Sequence, residues 1–330
     1  MTTTPKRILS GMRPTGKLHL GHLLGALQNW ATLQNQYECY FMVADWHSLT
    51  TSYENIGPIR EFTIDNVTDM LAAGIDPQKS VLFVQSEVKE HAELCLLLSM
   101  ITPIPWLERV PTYKEQINEL SNKDLSTIGF LQYPLLQAAD ILIYKAHAVP
   151  VGVDQVPHVE LTREVGRRFN YLYGEIFPEP ESLLTPVSKL TGLDGRKMSK
   201  SYDNAIYLSD DTATIGTKVK NMLSDPARVK KSDPGHPDIC PVFGYHKVFA
   251  PKTVDEIRAA CEKAEIGCVE CKKRLTGELC NVLAPHQQKR HELSQKPDYV
   301  RQVLDDGKLR AQKTAMETML DVRKAMKLTE

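Results

Sequence analysis

The run "CYFMVADW", Cys39 to Trp46, is apolar almost without interruption and short. A strand with one face in water would alternate apolar and polar residues. An unbroken run suits a strand covered on both faces, as in a parallel sheet with helices on either side. "RILSG" at 7–11 and "SVLFVQS" at 80–86 read as two further strands. The stretches between them, "HLLGALQNWATLQ" and "IREFTIDNVTDMLAAG", have helical spacing, and the second stops at Gly74. Strand, helix, strand, helix, strand in that order calls for a parallel sheet wound by right-handed crossovers. The pattern continues with a helix around Leu131–Tyr144 and a short buried strand ending at Gly152–Asp154.

After about residue 205 the strand patterns cease, and helical spacing runs to the end apart from the loop "SDPGHPDICP". The expected organisation is therefore α/β: a Rossmann-like parallel-sheet nucleotide-binding domain over 1–205 and a smaller all-helical domain over 206–304. A C-terminal helix, 305–330, is expected to pack back on the first domain. The 330 residues suffice for this, and 42% hydrophobic with 25% charged residues is ordinary for a globular chain. A net charge of −1 gives no global signal for nucleic acid, and DNA is not an expected partner. No apolar run is long enough for a membrane span, so a cytoplasmic protein is expected.

In an open parallel sheet, ligands sit beyond the carboxyl ends of the strands, against the N-termini of the following helices. "GMRPTGKLHLGH", residues 11–22, follows the first strand and occupies that place. Helix N-termini offer unsatisfied N–H groups to a phosphate, and Gly21 removes a side chain where a flat base could lie. His19 and His22 by themselves fit a phosphate site, a metal site or a plain surface helix start. "LDGRKMSKSYDN", residues 193–204, sets Lys197 and Lys200 among Ser199 and Ser201 beside a turn. Such a cationic, hydroxyl-rich loop can grip a leaving pyrophosphate, or can simply link two domains.

Together, "HLGH" after the first strand and "KMSKS" after the last resemble the paired motifs of the class I aminoacyl-tRNA synthetases. "FLQYPLLQAADILIY", "VPVGVDQVPHVELTREVGRRFN" and "DPARVKKSDPG" extend the resemblance over nearly the whole chain, to the bacterial tryptophanyl-tRNA synthetase family. The resemblance implies ATP- and Mg2+-dependent activation of L-tryptophan and transfer to tRNA(Trp), by a homodimer. The nearest alternative is a tyrosyl-tRNA synthetase, although bacterial members of that family usually add a C-terminal RNA-binding domain, which is not expected here. An alternative of another class is a non-catalytic paralogue that binds RNA or an amino acid.

The resemblance also assigns residues. Asp140 matches the acceptor of the indole N–H, with Tyr133, Gln137 and Gln155 completing the tryptophan set. Arg13, Pro14, Thr15, Gly21 and His22 match the loop and helix start that meet ATP. Gly152, Val153 and Asp154 match the ribose site, and Leu190 the adenine contact. Lys197, Met198, Ser199, Lys200 and Ser201 form the mobile ATP loop, and His22, Lys197 and Lys200 are the expected catalytic groups. Many bacterial members carry asparagine where this chain has His22.

Cys240, Cys261, Cys268 and Cys271 crowd into 32 residues with gaps of 20, 6 and 2. Only one tight pair is present, unlike the usual zinc ribbon, whereas an iron–sulfur cubane accepts looser spacings. "IGCVECKK" resembles the subgroup of the family that carries a 4Fe-4S cluster, with a structural or anticodon-contact role; zinc and four incidental thiols are the alternatives. Lys272, Lys273, Arg274, Lys289 and Arg290 nearby suit phosphate contacts with RNA, or a solvated helix face.

Overall fold

The computed structural model describes residues 5–113, 125–185, 190–198 and 202–330. Five parallel strands, β1 (Arg7–Met12), β2 (Glu38–Val43), β3 (Ser80–Val84), β4 (Ala148–Val151) and β5 (Glu181–Leu184), lie in the order β3-β2-β1-β4-β5. β1 pairs in register with β2 from Arg7↔Glu38 to Met12↔Val43, and β2 with β3 from Cys39↔Ser80 to Val43↔Val84. The order reverses between β1 and β4, the switch point where open sheets of this kind bind ligands.

β2 and β3 are buried nearly throughout, as their unbroken apolar runs require. Trp30 stacks on Phe41 at 4.7 Å to cover one face. β2 is shorter than the Cys39–Trp46 run, because the chain turns into a helix at Asp45. The Ala44 N–H donates to Met12 O, and Asp45 opens a helix, Asp45–Ser52, in which its carboxylate accepts the N–H groups of Trp46 and Ser86. β5 was not foreseen. It is a half-exposed edge strand paired with β4, and its "ESLL" carries little apolar pattern.

The chain forms two compact units: Met1–Gly16, Ala26–Pro186 and Lys296–Glu330 in one, Lys17–Gly25 and Val187–Gln295 in the other. These bounds differ from those read at 205/206 and 304/305, and the short piece 17–25 is detached from the strand before it. Main-chain bonds cause this: Leu20 N donates to Ile206 O and Leu208 N to Leu18 O.

Within the first unit the terminal helix, Pro297–Ala325, lies along β3 at the sheet edge. Ala311, Ala315, Met319 and Val322 are fully buried in the same core as the strands. Arg310 Nη1 donates to Pro77 O at 2.8 Å and Ser80 O at 3.2 Å, and Arg323 pairs with Glu93. A helix there covers an edge that would otherwise offer unpaired backbone to other chains.

Among the described residues no helix is long and apolar enough to cross a membrane.

Candidate active site

The Ile128–Ile143 helix starts where Thr127 accepts the N–H of Phe130, and it carries Tyr133, Gln137 and Asp140 toward one face. Asp140 is fully buried. His47 Nε2 lies 2.7 Å from its Oδ2, and His91 Nδ1 lies 2.6 Å from its Oδ1. Gln85 Nε2 donates to both oxygens at 2.8 and 2.9 Å. Burial alone would raise the pKa of this carboxyl. The hydrogen bonds and Coulombic pull of His47 and His91 outweigh burial and hold it down at about 2. The group is thus an ionised, buried acceptor.

Tyr133 and Gln137 are half-buried on the same helix. The Tyr133 hydroxyl is 2.9 Å from Thr112 Oγ1, which is 2.6 Å from His158 Nε2. His158 is 1% exposed, and its Nδ1 has no hydrogen-bond partner among the described residues. Burial drives its pKa down to about 4, with the charge of His47 adding to the fall and Asp154 opposing it.

This has a measurable consequence. The unfolded chain takes up a proton near pH 6.5 that the folded one refuses until about pH 4. Stability is therefore expected to fall by on the order of 3 kcal/mol between those values and to level off below. Denaturant titrations at pH 7 and pH 5 read this, and His158→Gln should remove that part of the slope.

Arg13, Pro14 and Thr15 follow β1 at the switch point, with Pro14 buried and the other two exposed. Pro14 and Thr15 line a pocket of about 370 Å³ with Ser48, Thr51, Asn55 and Phe62. Gly152, Val153 and Asp154 follow β4, and Gln155 Nε2 donates to Asp154 Oδ2 at 3.0 Å. Asp154 is exposed, its carboxylate directed past Gly152, where a Cβ would lie 2.7 Å from Oδ1.

In the second unit, "HLGH" and the neighbourhood of "KMSKS" are joined. His19 caps the Leu20–His22 turn: its Nδ1 accepts the Gly21 N–H at 3.1 Å, while His22 Nδ1 accepts the His19 N–H at 3.1 Å. The rings lie 3.8 Å apart. Because each Nδ1 accepts, a ring proton sits on Nε2 of both histidines, and His22 is half-buried. A Cβ on Gly21 would stand 3.0 Å from the His19 ring and 3.6 Å from Met198 Sδ, so glycine keeps the cap and the methionine in place.

Thr191 and Lys197 form an antiparallel bridge, and Asn204 Nδ2 ties the loop by donating to Asp194 Oδ1 and Lys197 O. The Lys197 side chain is exposed and Leu190 half-buried. Ser199, Lys200 and Ser201 lie outside the described residues.

Cys240, Cys261, Cys268 and Cys271 line one pocket of about 20 Å³ in this unit, together with Asp225, Arg228 and Ile266. Among the described residues, no three His, Cys, Asp or Glu side chains are set to hold a metal ion, so the expected metal site is not supported at that level. The neighbouring cations are partly engaged: Arg274 pairs with Glu256 at 3.1 Å, and Lys272 Nζ donates to Lys220 O.

Five groups of the Asp140 and Tyr133 networks were missed from the sequence: His47, Gln85, His91, Thr112 and His158. His47 and Gln85 follow the carboxyl ends of β2 and β3, the positions the ligand rule for open sheets marks out. His91, Thr112 and His158 lie on helices and carried no such signal.

A family model described as tRNA synthetases class I (W and Y) matches residues 1–284. The tryptophan–tRNA ligase of Thermotoga maritima is 56% identical over 325 residues, covering 98% of this chain and 99% of its own. That of Aquifex aeolicus is 44% identical over 393 residues, covering 98% of this chain and all of its own. A crystal structure of the Campylobacter jejuni tryptophanyl-tRNA synthetase, complexed with ADP and tryptophan, superposes with a TM-score of 0.88. It is 33% identical and covers 97% of this chain and 99% of its own.

Proposed function

The chain belongs to the class I tRNA synthetases of the tryptophan and tyrosine family, and we propose that it activates L-tryptophan with ATP and transfers it to tRNA(Trp). The observation that carries this reading is Asp140: an ionised, wholly buried acceptor on the helix that also bears Tyr133. An amino-acid side chain entering such a site must bring a donor, since an apolar one leaves the carboxylate unpaired. Indole N–H and phenol O–H both qualify. The tryptophan ligases at 44–56% identity favour indole. His47, Gln85 and His91 already fill the four acceptor positions of the carboxylate, so the indole N–H must displace one of them. His47 alone among the three has an exposed side-chain edge, at 10%, and is the donor that yields.

ATP enters as its Mg2+ complex. A carboxylate oxygen of tryptophan attacks the α-phosphorus, forming the mixed anhydride as the bond to pyrophosphate breaks. By the resemblance, Arg13, Pro14, Thr15, Gly21, His22, Gly152, Val153, Asp154, Leu190, Lys197, Met198, Ser199, Lys200 and Ser201 are assigned to the nucleotide, with the Asp154 carboxylate accepting from ribose hydroxyls. His22 Nε2–H and the lysines stabilise charge that grows on the phosphate oxygens. Tyr133 and Gln137 are assigned to the α-amino group, and Gln155 to the tryptophan site.

Pyrophosphate exchange driven by tryptophan and not tyrosine is the expected result, and exchange driven by tyrosine alone overturns the reading. Lys197→Ala should slow exchange on the order of 10²-fold while the tryptophan dissociation constant stays within about twofold.

For the four cysteines we take the 4Fe-4S reading over zinc. Convergence of four thiols on one pocket and their spacing, with only one tight pair, support it. Burial first, and then repulsion among the neighbouring cysteines, raises the Cys240, Cys261 and Cys271 thiols, so a cluster would have to bind with loss of their protons. When bound, a cluster would cross-link three segments of this unit. Protein purified without oxygen is expected to be brown with about four irons per chain. Colourless protein with one zinc overturns this. We take the enzyme to act as a homodimer in the cytoplasm, as the resemblance implies.

A further inference from the structure

The three donors on Asp140 differ in what stands behind them. His91 is fully buried, and its second nitrogen is engaged too: Nε2 lies 2.8 Å from the Tyr144 hydroxyl. Tyr144 sits one turn past Asp140 and closes the same helix. It is fully buried, stacked on Tyr40 at 4.5 Å and edge-on to Phe83 at 5.5 Å, so its hydroxyl is aimed by packing. Burial beside Asp140 keeps this phenol protonated. An ionised carboxylate only accepts, so the ring proton of His91 must be on Nδ1. Nε2 is then the atom that faces the Tyr144 hydroxyl, which can donate or accept. The result is a chain of three buried groups, phenol to imidazole to carboxylate, that ends at the proposed indole acceptor.

We infer that His91 and Tyr144 are positioning residues for tryptophan: the phenol anchors the far side of the imidazole ring, and the imidazole fixes the direction in which the Asp140 carboxylate presents its lone pairs. This rests on Asp140 being the indole acceptor, as proposed above. His47 gives way to the substrate, while His91 stays, so the carboxylate meets the indole N–H already oriented. A plain core-packing role for the two rings would support the fold without regard to which atom the ligand carries.

That difference is the test. L-tryptophan and L-β-(benzothiophen-3-yl)alanine share a shape, but sulfur replaces the N–H in the second. Their dissociation constants are measured by calorimetry on the full-length protein and on the Tyr144→Phe, His91→Asn, His91→Leu and Asp140→Asn variants. Tyr144→Phe removes one hydroxyl and should weaken tryptophan about tenfold while changing the isostere less than about twofold. His91→Leu should be selective in the same way and more severe. His91→Asn, whose amide reproduces the Nδ1 donor, should recover most of the loss. The inference is overturned if Tyr144→Phe weakens both ligands alike, or neither, while Asp140→Asn remains selective for tryptophan. If Asp140→Asn itself treats the two ligands alike, Asp140 does not take the indole N–H, and the functional reading fails together with the inference.

Discussion

Replacing Asp140 by asparagine should lower kcat/KM for tryptophan in pyrophosphate exchange on the order of 10³-fold. Two losses combine. The charge that makes this group a strong acceptor disappears, and the new amide N–H₂ faces donors, because Gln85, His47 and His91 all point hydrogen at the same carboxylate. One of those buried donors is left without a partner, at a cost of about 1–3 kcal/mol. The KM for ATP should stay within about twofold, since no nucleotide group is assigned to Asp140. Equal loss of ATP and tryptophan affinity would show that the variant is misfolded, and unchanged tryptophan kinetics would remove Asp140 from the site.

The same substitution has a thermodynamic signature. The Asp140 pKa is depressed in the fold, so the stability it contributes is complete above the unfolded value near pH 4 and disappears as the pH falls toward about 2. Asp140→Asn should be less stable than the parent at pH 7, and its acid unfolding should lack that limb.

Much of the fold was legible because it is written in local patterns. The apolar runs of β1, β2 and β3 and the helical spacing between them suffice to specify a parallel sheet. Asp140 was assigned by the family resemblance of "FLQYPLLQAADILIY", and the alanines and "ILIY" beside it pointed to the burial that the fold shows. What escaped depends on pairing between distant segments. The main-chain bonds from Leu18 and Leu20 to residues near 207 join positions some 190 apart, and nothing at either end marks the other. His91 follows Lys89 and Glu90 at a helix start, where it reads as surface, and Tyr144 ends the apolar "ILIY", where it reads as ordinary core. Only the fold shows that the imidazole bridges two residues of another helix. The sequence motifs "HLGH" and "KMSKS" indicated a shared ATP role, and the capping function of His19 emerged with the backbone geometry.

The terminal helix carries the other large effect, and it turns on one glycine. Gly307 lies where the Pro297–Ala325 helix passes the β3 edge so closely that an added Cβ would overlap Leu82 O, with the Leu82 carbonyl carbon 2.7 Å away. Both sides of the contact are backbone, and no side chain can rotate out of the way. Alanine would gain about 1 kcal/mol of helix propensity, but overpacking typically costs about 1–3 kcal/mol and exceeds that range where backbone must move. Gly307→Val, which also has a β-branch, should therefore destabilise by at least about 3 kcal/mol and lift the helix from β3. Amide exchange would show this as lost protection at Val81–Val84 and Ala311–Val322, with aggregation rising as the sheet edge is uncovered. Gly277 supplies the control. It too is helical, in Cys268–Ser294, but nothing lies within 4 Å of its Cβ position, so Gly277→Ala should stabilise by up to about 1 kcal/mol. If both glycines tolerate alanine equally well, the close approach of the helix to β3 is not what holds the terminal helix in place.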